Sequence, residues 1–386
     1  MKKLVVSMLL AMMLMVGCSK GDGDDIISGE DIGLEDGDDA ADDDADKDVL
    51  PEVDEDLPPE EGMVRSALTN EWITEEQSEA RPIAVMMPTD REAQPQYGIG
   101  NADVLYEVME EGNISRQLAV IDNWQELDKI GNVRSCRLYY IPIAMEWDPI
   151  MVHFGGVYFM RDRVMQSDFN NITGTYSDGT PETPARGAGA FFRSDDKAAP
   201  HNAYVSANSL NKQIDKLGYS LTHRDEYYDP NHFVFSNETV KLDEVEGLTV
   251  VDANVVDLSD VFPVTKSKLT YNEEDGLYYK ELHGKEQIDA VTGEQLAFTN
   301  VIIQNAYYEH VIEPTGPSKY LTFQMHDNTR DGYYITGGKA IPITWSKVEG
   351  DYSPTKYYDD NGDEIQINTG KTYIAIAQYD TNVILE

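Results

Sequence analysis

The chain has 386 residues and a formal net charge of −41 at pH 7, because 71 Asp and Glu outnumber 30 Lys and Arg. Nucleic-acid binding requires a basic face, so we expect no nucleic-acid partner for a chain of this composition. The two cysteines, Cys18 and Cys136, are too few to build a disulfide framework.

The first eighteen residues have the pattern of a lipoprotein signal peptide. Lys2 and Lys3 precede an apolar run at residues 4–16, which is shorter than the roughly 20 residues of a membrane-spanning helix. Gly17 stands directly before Cys18, as in a lipobox. We therefore expect Cys18 to be lipidated and to anchor the chain to the cell membrane on its extracytoplasmic face. The alternative is an uncleaved anchor helix with an incidental cysteine.

Residues 19–62 are predicted to form a disordered acidic tether. Within this segment, residues 20–61 contain twenty Asp or Glu, two Lys and no aromatic residue. Such a stretch cannot bury enough apolar surface to offset the entropy lost on ordering. Its charges repel one another, which favours an extended spacer between membrane and body.

The remaining residues predict an α+β body. Its length suggests two lobes, which we place at residues 63–235 and 236–386. The first is expected to be a layered mixed sheet with helices. In the second, segments such as 268–271 and 277–280 alternate polar and apolar residues, which is typical of antiparallel strands.

A hairpin is predicted around Gly112 and Asn113, between strands at 103–111 and 114–121. A two-residue turn with glycine first suits type II′. The resulting register would place Glu107 and Arg116 on the same apolar face, where unpaired charges are costly. This arrangement is compatible with a structural ion pair or with the floor of a polar cleft.

Arg134 and Arg137 suggest an anion site. Asn132 can cap a helix that would carry both arginines on one face near its start. Free backbone N–H groups and two guanidinium groups would then hold an anion together. The alternative is that both arginines pair with the abundant carboxylates of the body.

Further candidates follow along the chain. His153 ends an apolar segment before Gly155 and Gly156 and is either a cleft residue or a satisfied core histidine. Residues 170–189 are long enough for a lid. Cys136 could be a nucleophile, with His153 or His201 as its base, or a packing residue. A helix is expected from Ser206 to Leu217.

At a series of ordered segments the chain resembles the YerB family of bacterial lipoproteins, whose domains are of unknown function. The segments in the first half are RPIAVM at 81–86, ADVLYE at 102–107, EGNISR at 111–116, IGNVRSCR at 130–137, VHFGG at 152–156 and PHN at 200–202. Those in the second half are Asp289, NVII at 300–303 and TWSK at 344–347.

The resemblance spans about residues 80–375 and implies a layered α+β body on a lipoprotein anchor, with no established reaction. The chain departs from the family pattern at three positions. Asn113 stands where a second glycine is favoured, and Cys136 stands where a small residue is favoured, which argues against a catalytic thiol. Gln287 replaces a histidine two residues before Asp289.

These features support a membrane-anchored lipoprotein that binds an anionic small molecule or cell-envelope component. The expected ligand-binding side chains are those of Arg116, Arg134, Arg137, His153, Arg193, His201 and Asn202. One alternative is an envelope hydrolase or transferase, with Glu107 or Glu111 as base and His153 or His201 as acid. Another is a structural, partner-binding protein. No motif predicts a cofactor or a metal site.

Overall fold

Short strands dominate the secondary structure of the protein. The structure is a computed structural model, and it describes residues 57–176, 185–312 and 319–386. Cys18, nearly all of the predicted tether and the middle of the predicted lid lie outside these residues. The strands of the first half are β1 (Met63–Arg65), β2 (Trp72–Thr74), β3 (Ile83–Pro88), β4 (Val104–Met109), β5 (Ser115–Ile121), β6 (Ile130–Gly131), β7 (Ile150–His153), β8 (Asn171–Thr173), β9 (Phe192–Arg193), β10 (Ala203–Val205) and β11 (Val234–Ser236).

In the second half of the chain, the regular secondary structure consists almost entirely of strands. They are β12 (Val251–Asp252), β13 (Val255–Asp257), β14 (Lys268–Asn272), β15 (Leu277–Leu282), β16 (Lys285–Glu286), β17 (Ala297–Phe298), β18 (Asn300–Ala306), β19 (Tyr308–Ile312), β20 (Lys319–Phe323), β21 (Asp327–Thr336), β22 (Lys339–Lys347), β23 (Lys356–Tyr358), β24 (Gln366–Asn368), β25 (Thr372–Gln378) and β26 (Ile384–Leu385). The prediction of an α+β body is confirmed, and strands make up most of its regular secondary structure.

Four α-helices are described: α1 (Glu75–Glu79), α2 (Tyr140–Met145), α3 (Arg161–Val164) and α4 (Ala207–Leu217). The helix predicted at 206–217 is confirmed as α4, where the Ser206 side chain accepts a hydrogen bond from the Ser209 N–H at 3.2 Å. This is an N-terminal cap of the expected kind. No helix in the described ranges is long and apolar enough to cross a membrane.

A central sheet joins the two halves of the chain. Its order is β12-β22-β21-β18-β25-β4-β5-β3-β7-β8, with β23 added beside β22. The halves meet where β25 pairs in parallel with β4, beginning with Thr372 opposite Val104. The predicted lobes at 63–235 and 236–386 therefore contribute strands to one sheet. A second, six-stranded sheet has the order β16-β15-β14-β13-β26, with β17 beside β15.

The middle of the central sheet is covered on both faces. Every residue of β3, β4 and β5 is buried, as expected for strands with a layer on each side. On one face, the Tyr140 hydroxyl of α2 donates to the Arg116 carbonyl at 2.9 Å. On the other, Glu107 contacts Lys280 of the six-stranded sheet.

The predicted hairpin register is wrong by one residue. Glu107 pairs with Gln117 and Val108 pairs with Arg116, so Glu107 and Arg116 point to opposite faces. The loop contains three residues, because the Glu110 N–H donates to the Ile114 carbonyl at 2.8 Å. Gly112 and Asn113 both adopt positive φ inside it.

The helix predicted to begin after Asn132 is also absent from that position. Residues 132–136 are extended: the Arg134 N–H donates to the Met86 carbonyl at 2.8 Å, and Cys136 forms a bridge with Gly156. The helix α2 begins only at Tyr140. Arg134 and Arg137 therefore do not surround a helix N-terminus.

Candidate functional site

The candidate site lies where β3, β4 and β7 end. β3 and β7 are parallel, and both β3 and β4 pair antiparallel with β5, so all three end at the same edge of the sheet. Three arginines meet beyond this edge. We call them the arginine cluster: Arg116, Arg134 and Arg137.

Arg116 is anchored by a buried ion pair. Its Nη1 atom donates to the carboxylate of Glu110 at 2.7 Å and to the Ser135 carbonyl at 2.7 Å. Burial raises the pKa of Glu110, although Arg116 and Arg137 act in the opposite direction. Because Arg116 already has these partners, its guanidinium group is held in one position.

Arg137 is anchored by the next carboxylate. Its Nη2 and Nε atoms lie 2.6 and 2.9 Å from Oε2 of Glu111, and its Nη2 lies 3.4 Å from Glu110. Glu111 also accepts from the Leu321 N–H at 3.2 Å. Burial acts to raise the pKa of Glu111, but the bonds from Arg137 hold it below the usual value.

Arg134 differs from its two neighbours. It is half-buried, and its Nε atom, like that of Arg116, is buried with no hydrogen-bond partner among the described residues. Within those residues its guanidinium group also forms no ion pair, although Asp90 and Glu110 are near enough to act on it electrostatically. Burial and the positive charge of Arg116 lower the pKa of Arg134. Its charge is therefore incompletely compensated.

His201 lies beside Arg134. Its Nδ1 atom is 4.0 Å from Oδ2 of Asp90, which is too long for a hydrogen bond, and has no other partner in the described parts of the chain. Burial lowers the pKa of His201; Asp90 opposes this shift and Arg134 adds to it. The imidazole is thus able to accept or donate a hydrogen bond at Nδ1.

Arg193 and Asn202 form the outer edge of this region. The Nη1 atom of Arg193 donates to Oδ1 of Asn202 at 2.5 Å, and its guanidinium group stacks over the Phe154 ring at 5.3 Å. The Phe154 N–H donates to the Arg134 carbonyl at 2.9 Å. Arg193 and Asn202 are therefore connected to the segment that carries Arg134.

His153 lies in the interior. Its ring is fully buried and contacts the Gly155 carbonyl at 2.8 Å and Oδ1 of Asn171 at 3.4 Å. Burial lowers its pKa. This geometry agrees with the interpretation of His153 as a satisfied core residue that fixes the turn at Gly155.

Cys136 is likewise buried. Its thiol donates to the Arg137 carbonyl at 3.1 Å, and burial raises the pKa of Cys136 far above that of a free thiol, although Arg137 is adjacent. The neutral thiol is a poor nucleophile. The geometry therefore argues against the nucleophile hypothesis.

Glu107 occupies the opposite face of the sheet in a closed polar network. Its carboxylate lies 2.9 Å from Nζ of Lys280, and both side chains are fully buried. It also accepts hydrogen bonds from four further side chains: Ser115 at 2.6 Å, Ser267 at 2.5 Å, Gln117 at 3.2 Å and Tyr373 at 2.9 Å. With these partners Glu107 has no access to a substrate, which argues against its proposed role as a base.

The sequence reasoning missed Asp90, Glu110 and Lys280. Glu110 stands directly before Glu111 in the hairpin loop, and the correct register would have placed it near Arg116. Asp90 follows β3 and could have been identified as a strand-end carboxylate. Lys280 carries no local signal, because its partner Glu107 is more than 170 residues away.

Two family models match successive parts of the chain. Residues 68–220 match the family described as "Protein of unknown function (DUF3048) N-terminal domain", and residues 258–374 match the corresponding C-terminal domain. The chain is 25% identical over 320 residues to the "Putative lipoprotein YerB" of Bacillus subtilis (strain 168), a match that covers 83% of this chain and 88% of that protein.

The fold is similar to that of a solved relative. The crystal structure of the YerB protein from Bacillus subtilis superposes with a TM-score of 0.67 at 24% identity, over 83% of this chain and 99% of that one. The resemblance found in the sequence motifs is therefore confirmed. Since both domains of the family are present in order, the chain belongs to the DUF3048 family of YerB-like proteins.

Proposed function

We propose that this protein is a membrane-anchored extracytoplasmic lipoprotein that binds an anionic small molecule or cell-envelope component at the arginine cluster. The observation that carries the proposal is Arg134, a half-buried guanidinium group whose charge has no ion-pair partner in the described residues. Burying an uncompensated charge costs free energy. Such a cost is commonly retained where the charge has a function.

An anionic ligand would relieve this cost. A guanidinium group binds carboxylates and phosphates through two parallel hydrogen bonds. Arg134 would supply these bonds, while Arg116 and Arg137 would contribute positive potential from fixed positions set by Glu110 and Glu111. Little side-chain ordering would be needed on binding, which favours affinity.

The remaining predicted residues have different roles in this proposal. His201 would border the ligand beside Arg134, with its buried Nδ1 atom directed towards Asp90. Arg193 and Asn202 would line the outer edge. His153 would act indirectly, by holding the Gly155 turn behind Ser135.

The location rests on two separate observations. The signal-peptide pattern ending at Cys18 predicts a lipid anchor, and the related YerB protein is named as a lipoprotein. The acidic segment 19–62 would hold the body away from the membrane surface.

The two alternative functions receive less support. An envelope hydrolase or transferase would need an accessible base and acid, yet Glu107 and His153 are buried and Glu111 is engaged by Arg137. A purely structural protein would pair all its buried arginines, as Arg116 and Arg137 are paired. Among the described residues, Arg134 departs from that expectation.

The test is a thermal-stability screen of the full chain with pyrophosphate, ADP, glycerol 3-phosphate and N-acetylmuramic acid. We expect at least one anion to raise Tm in the parent but not in Arg134→Gln. Arg330→Gln is the matched control, because Arg330 pairs with Asp327 on β21, four strands away from β5 in the central sheet. It should respond as the parent does. If no anion raises Tm, or if Arg134→Gln retains the response, the proposal fails.

A further inference from the structure

A hollow lies at the edge of the central sheet opposite to the arginine cluster. It has a volume of about 550 Å³ and is lined by residues 236–243, the turn from Tyr271 to Leu277, and the turn from Thr336 to Lys339. This edge is where β25 and β4 begin, whereas the arginine cluster lies where β4 ends. The volume is in the range of small-molecule sites. We call this hollow the polar groove.

Buried hydrogen bonds fix the shape of the polar groove. Asn368, on its floor, accepts from the Val240 N–H at 2.6 Å and donates to the Val240 carbonyl at 3.1 Å. It also donates to the Thr336 hydroxyl at 3.0 Å. One amide therefore ties the wall segment 236–243 to the end of the sheet. A groove held in this way is preformed, which lowers the entropic cost of binding.

The rim of the polar groove has polar side chains without protein partners among the described residues. In the parts of the chain that the structure describes, the side chains of Glu238 and Thr239 and the hydroxyl of Tyr271 take part in no hydrogen bond or ion pair, although all three residues line the groove. These three are free to bind a ligand.

The two lysines of the groove are already neutralised. Lys241 lies 3.0 Å from Glu244, and Lys339 lies 2.6 Å from Asp252. The remaining charged side chains of the lining are the acids Glu238, Asp243 and Asp275. The groove therefore repels anions, in contrast to the arginine cluster.

The ring of Tyr271 is held in place by its neighbours and presents an aromatic surface. Its ring lies directly against Gly338, where a Cβ atom would approach ring carbons to 3.1 Å, and its centroid is 5.1 Å from that of Tyr278. The ring is half-buried. A rigid, partly exposed ring beside free acceptors can stack on an apolar face while those acceptors bind polar groups.

We propose that the polar groove binds a neutral saccharide. A sugar ring has an apolar C–H face, which matches Tyr271, and outward hydroxyl groups that can donate to Glu238 and exchange hydrogen bonds with Thr239. A neutral sugar carries no charge that the acidic rim of the groove would repel. This site is independent of the arginine cluster and of the function proposed for it.

The test is saturation-transfer NMR of the full chain with chitotriose, cellotriose and maltotriose. At least one sugar should receive saturation on its C–H protons. Tyr271→Ala should weaken its binding by about tenfold or more, because it removes the stacking surface. Tyr271→Phe keeps the ring and should bind within about threefold of the parent, since one exposed hydrogen bond contributes little.

Two further variants keep the result interpretable. Thr239→Trp, on the exposed rim, should block the groove without disturbing the packing of Tyr271, so it tests the site even if Tyr271→Ala does not fold. Tyr307→Ala removes a tyrosine that is 42% exposed and does not line the groove, and should bind as the parent does. Absence of binding for all three sugars, unchanged binding in Thr239→Trp, or stronger binding of glucosamine or glucuronate than of any neutral sugar would overturn the proposal.

Discussion

Glu107 and Arg116 belong to two separate charge systems on opposite faces of the central sheet. Glu107 faces Lys280 in the six-stranded sheet at 2.9 Å. Arg116 faces Glu110 and the Ser135 carbonyl, each at 2.7 Å. The first system joins two layers of the fold, and the second positions the arginine cluster. Substitutions at the two sites should therefore have different consequences.

The Glu107–Lys280 pair predicts an asymmetric loss of stability. Glu107→Gln would leave the buried Lys280 ammonium group without a counter-charge, so the free energy of unfolding should fall by about 3–5 kcal/mol. Lys280→Met should cost less, because Glu107 keeps four hydrogen-bond donors. Urea unfolding of both variants measures the difference. A larger loss in Lys280→Met would show that this account of the network is wrong.

Arg134 and Arg116 should respond to substitution with opposite signs. Without ligand, Arg134→Gln should raise the free energy of unfolding by up to about 1 kcal/mol, because it removes repulsion from Arg116 and Arg137. Arg116→Gln should lower it by about 3–5 kcal/mol, because Glu110 loses its nearest counter-charge. Chemical unfolding in low-phosphate buffer checks both. Destabilisation by Arg134→Gln would mean that its guanidinium group has a structural partner.

His232 predicts a dependence of stability on acid. It is buried and stacks on Trp147 at a centroid distance of 3.7 Å, and burial lowers its pKa to about 4, although Glu146 opposes this shift. The unfolded chain, with a histidine pKa of about 6.5, binds the proton more tightly. The stability that neutral His232 contributes is therefore complete above pH 6.5 and is lost as the pH falls towards 4. Over this range the free energy of unfolding should fall by up to about 1.4 kcal/mol per pH unit.

His232→Phe isolates this effect, because phenylalanine keeps a ring against Trp147 but does not titrate. Urea unfolding at pH 7 and at pH 5 should show a smaller decrease in the variant than in the parent. Equal decreases in the two proteins would assign the acid sensitivity to other groups.

Cys136 should be chemically inert in the folded protein. Its thiol is buried and its pKa is raised by burial, so little thiolate is present for alkylation. Iodoacetamide at pH 8, followed by peptide mass spectrometry, should leave Cys136 unmodified in the native chain and label it fully in guanidinium chloride. Rapid labelling of the native protein would restore the nucleophile hypothesis.

The sequence correctly predicted several strands and one helix, and it identified several of the residues that lie in or beside the arginine cluster. The strands predicted at 103–111 and 114–121 correspond to β4 and β5, and the helix predicted at 206–217 is α4. The predicted side chains of Arg116, Arg134, Arg137 and His201 lie near one another. These predictions succeeded because burial patterns and polar residues at strand ends are local signals.

Two kinds of feature were not predictable in this way. A three-residue loop instead of a two-residue turn changed the face of Arg116 relative to Glu107, since side chains alternate along a strand. The partners Lys280 of Glu107 and Lys347 of Glu146 are distant in the chain. Such pairs are created by packing between layers, which no local pattern encodes.

Calorimetric titration of the full chain at low ionic strength, with each of the four anions of the thermal-stability screen in turn, tests the central claim most directly. We predict saturable binding of at least one anion at one site, weakened by about tenfold or more in Arg134→Gln because a charge-assisted pair is lost, and unchanged in Arg330→Gln. The absence of binding of all four anions in the parent, or the same affinity in Arg134→Gln, would contradict the assignment of the arginine cluster as an anion-binding site.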